Sequence, residues 1–296
     1  MKNGRILYIT LAVFLSSLVF SACGGGTAGA GAATSPGTGV QPPTPATPTV
    51  TNGSAGCASA AKFATGLQSL TSDSIQRSYW VEMPTNYDSS KAYPVVIGLH
   101  WRGAHAIDVY QGWNPFFGLK GQYGGNAILL APEGLDAGWA NSGDSDIRFM
   151  RAMLSQVQQG ACTDTKRVFS TGFSFGAMMS NAIGCGMGDV VRAIVPMSGA
   201  LYSGCADSTY KVAALFTHSQ DDNVVPYNDG QAARDVFLKR NHCSATTVPV
   251  GSNGCVEYQG CDADKPVVWC GLPTGGHWYP QNFSAQESKS FFDRFN

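Results

Sequence analysis

The sequence predicts an α/β fold in which a mostly parallel sheet is covered by helices on both faces. Segments between the predicted strands carry apolar residues at helical spacing, as at Ile147, Met150, Met153, Leu154 and Val157, so these methionines belong to a core face. Strands that alternate with helices are typical of parallel sheets buried on both sides. The predicted strands are 78–83, 93–99, 126–131, 167–171, 193–197, 212–217 and 267–269.

The first 23 residues have the pattern of an export signal. Lys2 and Arg5 precede a short apolar run at 6–20, and Cys23 follows it. This arrangement resembles a bacterial lipoprotein signal, in which Cys23 would be lipidated, although cleavage without lipidation is the alternative. Residues 24–56 carry no charged side chain and consist mainly of Gly, Ala, Pro, Thr and Ser, which is typical of a disordered linker. We therefore expect the folded domain at 57–296.

Composition narrows the possible functions of this domain. The chain has 296 residues, 44% of them hydrophobic, which is enough for one sizeable core, and no repeat or second domain is evident. Its formal net charge is −1 and it has no basic stripe, so we expect no nucleic-acid partner. The sequence contains no H-E-x-x-H or C-x-x-C metal-binding motif and no Walker glycine–lysine motif. The stretch at 24–31 is rich in glycine, but it follows no predicted strand and is therefore not a nucleotide-binding loop. We expect neither a metal nor another cofactor.

The cysteines indicate an exported, disulfide-stabilised domain. Nine are present, and setting aside Cys23 leaves an even number. An even set in an exported chain predicts disulfides, and we expect at least three, although eight cysteines allow 105 pairings. Zinc binding is the alternative, but the spacings match no zinc site. The eight cysteines are Cys57, Cys162, Cys185, Cys205, Cys243, Cys255, Cys261 and Cys270.

The segment Gly172-Phe173-Ser174-Phe175-Gly176 has the G-x-S-x-G pattern of a nucleophile elbow. It follows the predicted strand 167–171 and precedes a run of small and apolar residues that is typical of a helix. A serine on such a turn is exposed to substrate in strained backbone geometry, and glycines on both sides let the strand and the helix pass closely. We therefore predict that Ser174 is a nucleophile, the alternative being an ordinary loop serine.

The remaining catalytic residues are expected after later strands, in the order Ser, acid, His that α/β hydrolases use. Strand 212–217 is followed by an acidic loop, in which Asp222 is favoured over Asp221 because it stands three residues before Val225-Pro226. Strand 267–269 is followed by a glycine-rich loop that carries His277, the predicted general base. The histidines that we expect to be structural are His100, His105, His218 and His242.

Two backbone N–H groups are expected to stabilise the oxyanion. The elbow directs the N–H of Phe175 to the start of the following helix, where developing negative charge is favoured. A second donor should come from the loop after the third strand of the fold, predicted at 93–99. In that loop Arg102 is the expected donor, with Trp101 as the alternative.

The segments that carry these motifs resemble the secreted feruloyl esterases of the first carbohydrate-esterase family, which are related to polyhydroxybutyrate depolymerase-like esterases. The chain departs from their pattern at two points. The doubled acid Asp221-Asp222 replaces a single acid, and His100-Trp101 replaces the more common His-Gly. The resembling stretches are 98–101, 131–135, 139–143, 164–169, 171–179, 197–200, 203–205, 258–261 and 266–269.

The resemblance implies a serine carboxylesterase that removes hydroxycinnamoyl groups from esterified plant polysaccharide. Trp139, Trp101, Phe173 and Trp278 lie on motif-bearing loops, and we expect them to bind a flat aromatic acyl group, Trp139 foremost. The alternative is that these rings pack the loops onto the sheet. An acetyl xylan esterase or a short-chain polyester depolymerase would share the scaffold, and an inactive carbohydrate-binding lipoprotein is the non-enzymatic alternative. A membrane would be contacted only through a lipid anchor at Cys23.

Overall fold

The computed structural model describes residues 50–251, 253–281 and 284–296. The predicted signal segment, including Cys23, and residues 24–49 of the predicted linker lie outside this part of the chain. Residues 52–56, which belong to the predicted linker, pair with the domain. Ser54 Oγ donates to the Ala161 carbonyl at 2.8 Å, and the Gly56 N–H donates to the Gln158 carbonyl at 2.8 Å. The domain therefore extends upstream of the boundary expected at Cys57.

Ten strands form one sheet, in the order β1-β2-β4-β3-β5-β6-β7-β10-β9-β8. The central strands β4, β3, β5, β6, β7 and β10 run parallel, and antiparallel strands complete both ends. The strands are β1 Gly66–Ser72, β2 Ile75–Glu82, β3 Tyr93–Leu99, β4 Ile128–Pro132, β5 Thr163–Phe173, β6 Ala193–Met197, β7 Ala213–Ser219, β8 Thr247–Val250, β9 Cys255–Tyr258 and β10 Val267–Leu272.

Helices cover both faces of this sheet, as the sequence predicts. The helices are α1 Ala106–Gln111, α2 Leu119–Tyr123, α3 Ser145–Gly160, α4 Phe175–Gly186, α5 Tyr227–Arg240 and α6 Ser284–Asp293. Helices α3, α4 and α5 pack on one face, and α1, α2 and α6 pack on the other. Met150 and Met153 of α3 are fully buried, which confirms their assignment to the core. In the described part of the chain, no helix is long and apolar enough to cross a membrane.

All seven predicted strands are present, and three further strands were missed. β1 has few apolar residues and lies at the sheet edge, and β8 is largely exposed and contains Pro249. β9 has only four residues. Edge strands of this kind lack the continuous apolar runs by which buried parallel strands are recognised.

The eight cysteines of the domain form four disulfides, which confirms the prediction of at least three. Two of them tie the end of the sheet that carries β8, β9 and β10. A third joins the end of α4 to the loop after β6, and the fourth fastens the first described residues to the start of β5. The pairs are Cys57–Cys162, Cys185–Cys205, Cys243–Cys261 and Cys255–Cys270.

Candidate active site

Ser174 stands on a sharp turn between β5 and α4. Its backbone has φ 55° and ψ −120°, which is a strained conformation for a residue with a side chain. The flanking glycines are required by close packing. A Cβ on Gly172 would lie 2.5 Å from the Gly176 carbonyl carbon, and one on Gly176 would lie 2.1 Å from the Leu99 carbonyl oxygen. The local sequence thus builds the elbow that the G-x-S-x-G pattern predicts.

Ser174, His277 and Asp222 form a continuous chain of hydrogen bonds at the carboxyl edge of the sheet. Ser174 Oγ lies 2.9 Å from His277 Nε2, and His277 Nδ1 lies 2.8 Å from Asp222 Oδ2. The three residues follow β5, β10 and β7, and the carboxyl ends of these parallel strands meet at one edge. This arrangement allows His277 to accept the hydroxyl proton while its other nitrogen donates to a carboxylate.

The carboxylate of Asp222 is kept ionised by its hydrogen bonds. Burial alone would raise its pKa, but the hydrogen bonds from His277 and from the N–H groups of Val225 and Val224 lower the pKa below its ordinary value. Both N–H groups donate to Oδ1 at 2.9 Å, which leaves Oδ2 for the imidazole. An ionised, oriented carboxylate is what the imidazolium of a serine hydrolase requires.

The adjacent acid has a different role. Asp221 is exposed, and its Oδ1 accepts a hydrogen bond from the Gly276 N–H at 2.8 Å. It therefore anchors the loop that carries His277 without touching the imidazole. Of the two neighbouring acids, the structure brings Asp222 to His277, in agreement with the spacing argument from the Val-Pro pair.

Of the other histidines, His218 is buried beside the acid loop. Its Nε2 lies 2.9 Å from the Val225 carbonyl and 3.2 Å from Asp222 Oδ2. Burial lowers the pKa of His218, so the ring is neutral and its N–H donates across the loop. His218 thus holds the acid loop, whereas His242 is exposed beside Asp262 and lies on the surface.

His100 organises the loop that follows β3. It is fully buried, and burial lowers its pKa, so it is neutral. Its Nδ1–H donates to the Trp101 carbonyl at 2.9 Å, and its Nε2 accepts from the Gly134 N–H at 3.0 Å. Within the described residues, the Arg102 N–H donates to no acceptor. The Trp101 N–H donates to none either, so both candidate donors of this loop, which lines the same cleft as Ser174, are available.

Ser174 and His277 open into a cleft of about 640 Å³ with mainly apolar walls. The exposed walls are Trp278, which is 44% exposed, Tyr202 at 62% and Val224 at 64%. Trp101, Arg102, Phe175 and Met178 also line the cleft. Its size falls within the range of sites that bind small organic ligands.

Trp139, expected to be the main ring for substrate binding, does not reach this cleft. It is 0% exposed, its Nε1 donates to the His100 carbonyl at 2.8 Å, and its ring packs on the His100 ring at 4.7 Å between centroids. An indole with no exposed face has none left for a substrate. The prediction of Trp139 as a binding residue was wrong, and the packing alternative describes this ring.

The other three predicted aromatic residues border the cleft in different ways. Trp101 and Trp278 present ring surface to it, whereas Phe173 is 4% exposed and packs beneath His277 at 5.0 Å between ring centroids. Phe173 therefore supports the imidazole more than it forms a wall. Tyr202 was not predicted from the sequence, because its position depends on how its loop is held by the Cys185–Cys205 disulfide.

No group of three or more His, Cys, Asp or Glu side chains is arranged to hold a metal ion in the described ranges. The side chains that the site brings together are the Ser174 hydroxyl, the His277 imidazole and the Asp222 carboxylate.

Comparisons with known proteins agree with this geometry. A family model described as phospholipase/carboxylesterase matches residues 144–257, which include the elbow and the acid loop. A probable feruloyl esterase C of Aspergillus terreus is 36% identical over 231 residues, covering 76% of this chain and 83% of that protein. Feruloyl esterase D of Neurospora crassa is 37% identical over 241 residues, covering 74% and 82% of the two chains.

Solved structures share the fold at lower identity. The acetyl xylan esterase from Aspergillus awamori has a TM-score of 0.60 at 15% identity and covers 77% of this chain and 99% of that chain. A feruloyl esterase module from Clostridium thermocellum has a TM-score of 0.55 at 13% identity and covers 80% and 89% of the two chains. The chain therefore belongs to the feruloyl esterase family and has the α/β-hydrolase fold.

Proposed function

We propose that this protein is a serine carboxylesterase that hydrolyses feruloyl and related hydroxycinnamoyl esters of plant cell-wall polysaccharide. The observation that carries the proposal is the hydrogen-bonded chain of Ser174, His277 and Asp222 at the mouth of an apolar cleft. Membership of the feruloyl esterase family supports the choice of acyl group.

In the first half of the reaction, Ser174 Oγ attacks the ester carbonyl carbon while His277 Nε2 takes the hydroxyl proton. The resulting oxyanion is held by the N–H groups of Phe175 and Arg102, with Trp101 as the alternative second donor. The neutral His100 supports this step by fixing the loop that carries the second donor. The tetrahedral intermediate collapses when His277 returns the proton to the departing alcohol oxygen, leaving an acyl-Ser174.

In the second half, water replaces the alcohol. His277 removes a proton from the water, the hydroxide attacks the acyl carbon, and the intermediate collapses to the free acid. In that collapse His277 gives the proton to Ser174 Oγ as the bond between Oγ and the acyl carbon breaks. Asp222 stabilises the imidazolium that forms in both halves, and its lowered pKa keeps it charged at neutral pH. No other group is needed for the reaction to balance.

The cleft favours a flat aromatic acyl group over a small one. Trp101, Tyr202 and Trp278 place ring surface within the same cleft as Ser174. A phenolic ring would bury apolar surface against these side chains, whereas an acetyl group would leave most of the cleft empty. The structural likeness to an acetyl xylan esterase keeps acetyl esters as the second candidate, together with short-chain polyesters. A purely carbohydrate-binding role would need none of the three hydrogen-bonded residues.

Four disulfides are typical of an exported domain, because disulfides form and persist in oxidising compartments. We further propose that Cys23 carries a lipid and that the segment following it tethers the domain to the cell envelope. The basic residues and apolar run before Cys23 support this. Metabolic labelling with a radioactive fatty acid should mark the wild-type chain but not Cys23→Ser, and equal labelling of both would contradict the anchor.

A substrate panel tests the catalytic proposal. Purified wild-type protein should hydrolyse methyl ferulate with a higher kcat/KM than acetylated xylan or polyhydroxybutyrate, and Ser174→Ala should be inactive on all three. Preference for acetylated xylan would assign the enzyme to the acetyl esterases instead. Absence of hydrolysis on every ester would favour the binding protein.

A further inference from the structure

A second groove adjoins the catalytic cleft and shares Trp278 with it. This groove, of about 370 Å³, is formed mainly by the loop that carries His277. Thr274 and Gln281 contribute exposed polar side chains, and Tyr279 lies against Trp278. We call it the histidine-loop groove. None of the catalytic steps described above uses it.

The chemistry of ester cleavage places the alcohol portion of the substrate on this side. The departing oxygen must come within hydrogen-bond distance of His277 Nε2, because that nitrogen returns the proton. A sugar attached to this oxygen therefore begins next to His277, and the histidine-loop groove adjoins that position through Trp278. Residues Thr274, Gly275 and Trp278, which surround His277 in the chain, line the groove. We assign the acyl group to the other cleft, which is lined by Met178, Tyr202 and Val224.

The groove has a rigid aromatic wall that suits a sugar ring. Trp278 and Tyr279 are stacked, with ring centroids 5.5 Å apart and ring planes 16° apart. The Trp278 carbonyl accepts a hydrogen bond from Ser198 Oγ at 2.9 Å, which fixes this part of the loop. An exposed indole that is held in place loses little entropy when the apolar face of a sugar packs on it.

The base of the groove holds a polar group without a partner. Ser219 lines the groove, is 1% exposed, and its hydroxyl has no hydrogen-bond partner among the described residues. A buried hydroxyl without a partner is costly, and a bound water would satisfy it. Gly275 packs closely on this side chain, since a Cβ at position 275 would lie 2.5 Å from Ser219 Oγ.

We infer that the histidine-loop groove binds the sugar residue that bears the ester, so that the enzyme selects its substrate on the alcohol side as well as on the acyl side. The inference rests on the proposed esterase function and deepens it. It predicts a higher kcat/KM for a feruloylated arabino-oligosaccharide than for methyl ferulate, because methanol is too small to contact the groove.

The test compares these two substrates in groove variants. Gln281→Ala removes a polar side chain, and Thr274→Trp fills the groove. Each should lower kcat/KM for the oligosaccharide ester by about tenfold, the order expected when one binding contact is lost. The kcat/KM for methyl ferulate should change much less. Gln122→Ala is the matched control, since Gln122 is also exposed but lies by the amino end of β3, in a different cavity.

Equal losses on both substrates in the groove variants would overturn the inference, because the residues would then act only by supporting His277. An unchanged ratio of the two kcat/KM values would overturn it as well. If methyl ferulate is not hydrolysed, the assignment of the acyl group is wrong, and the groove is then tested with acetyl esters. In that case acetylated xylo-oligosaccharide is compared with ethyl acetate, and the same fall in the ratio is expected.

Discussion

The backbone is strained at the carboxyl ends of the parallel strands, whereas the amino end of β5 is stabilised by a disulfide and an ion pair. At the carboxyl edge, Ser174 and Ser198 have positive φ angles of 55° and 52° without being glycine. At the amino end of β5, Cys162 is bonded to Cys57, and Arg167 Nε donates to Asp164 Oδ2 at 2.7 Å. The catalytic residues thus lie at the carboxyl ends of the strands, and these stabilising bonds lie at the opposite, amino end.

The difference shows how a strained site can persist. Backbone strain at Ser174 costs on the order of 1–3 kcal/mol, and it persists only where the surrounding structure determines the conformation. Here Gly172 and Gly176 allow the close packing, and the buried strands β5 and β6 hold the turn. Substitutions at the carboxyl edge should therefore affect catalysis more than stability. Substitutions at the amino edge should affect stability more than catalysis.

The largest effect is expected at the carboxyl edge, for Asp222→Asn. Loss of the carboxylate leaves the His277 imidazolium without a charged partner, so kcat on methyl ferulate should fall by about 10⁴-fold. Asp221→Asn is the matched control, because this side chain binds only the Gly276 N–H. Its kcat should remain within about tenfold of wild type, since only one exposed hydrogen bond is altered. The reverse ranking of the two variants would move the catalytic acid to Asp221.

At the amino edge, replacing both Cys57 and Cys162 by Ala should lower the free energy of unfolding by about 2–5 kcal/mol. The kcat on methyl ferulate at 25 °C should be unchanged, since this disulfide lies away from the site. Urea unfolding and steady-state kinetics measure the two quantities. Replacing Cys185 and Cys205 instead should also raise KM, because this bridge holds the loop that carries Tyr202. If both pairs affect KM equally, the two edges are not independent.

Lowering the pH should reduce the free energy of unfolding, through two buried histidines near the carboxyl edge. His100 and His218 are buried, and burial lowers the pKa of each below its unfolded value. The unfolded chain therefore binds more protons than the folded one below about pH 6.5, the ordinary pKa of histidine. Stability from these groups is present above that pH and is lost as the pH falls toward their folded pKa values.

The free energy of unfolding should fall by at most about 1.4 kcal/mol per pH unit for each of these two imidazoles. His105 acts in the opposite direction, because Glu133 raises its pKa, but its exposed position screens the effect. Urea unfolding at pH 7.5 and pH 5.5 measures the difference. A protein that is equally stable or more stable at pH 5.5 would show that these two histidines are not held neutral by the fold.

The smallest effect is expected for Tyr202→Ala. One stacking contact contributes about 0.5–1.5 kcal/mol beyond burial, so kcat/KM on methyl ferulate should fall about three- to tenfold. Turnover of p-nitrophenyl acetate should change less, because an acetyl group does not reach the ring. Equal losses on both esters would indicate that Tyr202 only supports its loop, through its hydrogen bond to Asp229.

The buried centre of the sheet could be predicted well from the sequence, and its edges could not. The predicted strands 93–99 and 193–197 match β3 and β6 to the residue, because each is a continuous apolar run. β1 and β8 are partly polar edge strands, and their pairing depends on distant partners. Local pattern carries no information on such pairing.

The candidate site divides in the same way. The positions of Ser174, Asp222 and His277 follow from short motifs after strands, and the structure brings the three together. The cleft walls depend on how long loops fold. The position of Trp139 on a motif-bearing loop favours a binding role, but the neighbouring His100 carbonyl provides its indole N–H with a buried partner. Tyr202 reaches the cleft on a loop with a long-range disulfide, a placement that sequence spacing does not reveal.

Both halves of the proposed reaction depend on Ser174 as the nucleophile that forms the acyl-enzyme, and an irreversible organophosphate tests this role directly. After reaction with diethyl p-nitrophenyl phosphate, peptide mass spectrometry should find one phosphoryl adduct per chain, on the peptide that contains Ser174. Methyl ferulate hydrolysis should disappear in proportion to this adduct, and ferulate should slow its formation. Full modification of Ser174 with hydrolysis intact, or loss of hydrolysis through an adduct elsewhere, would contradict the account.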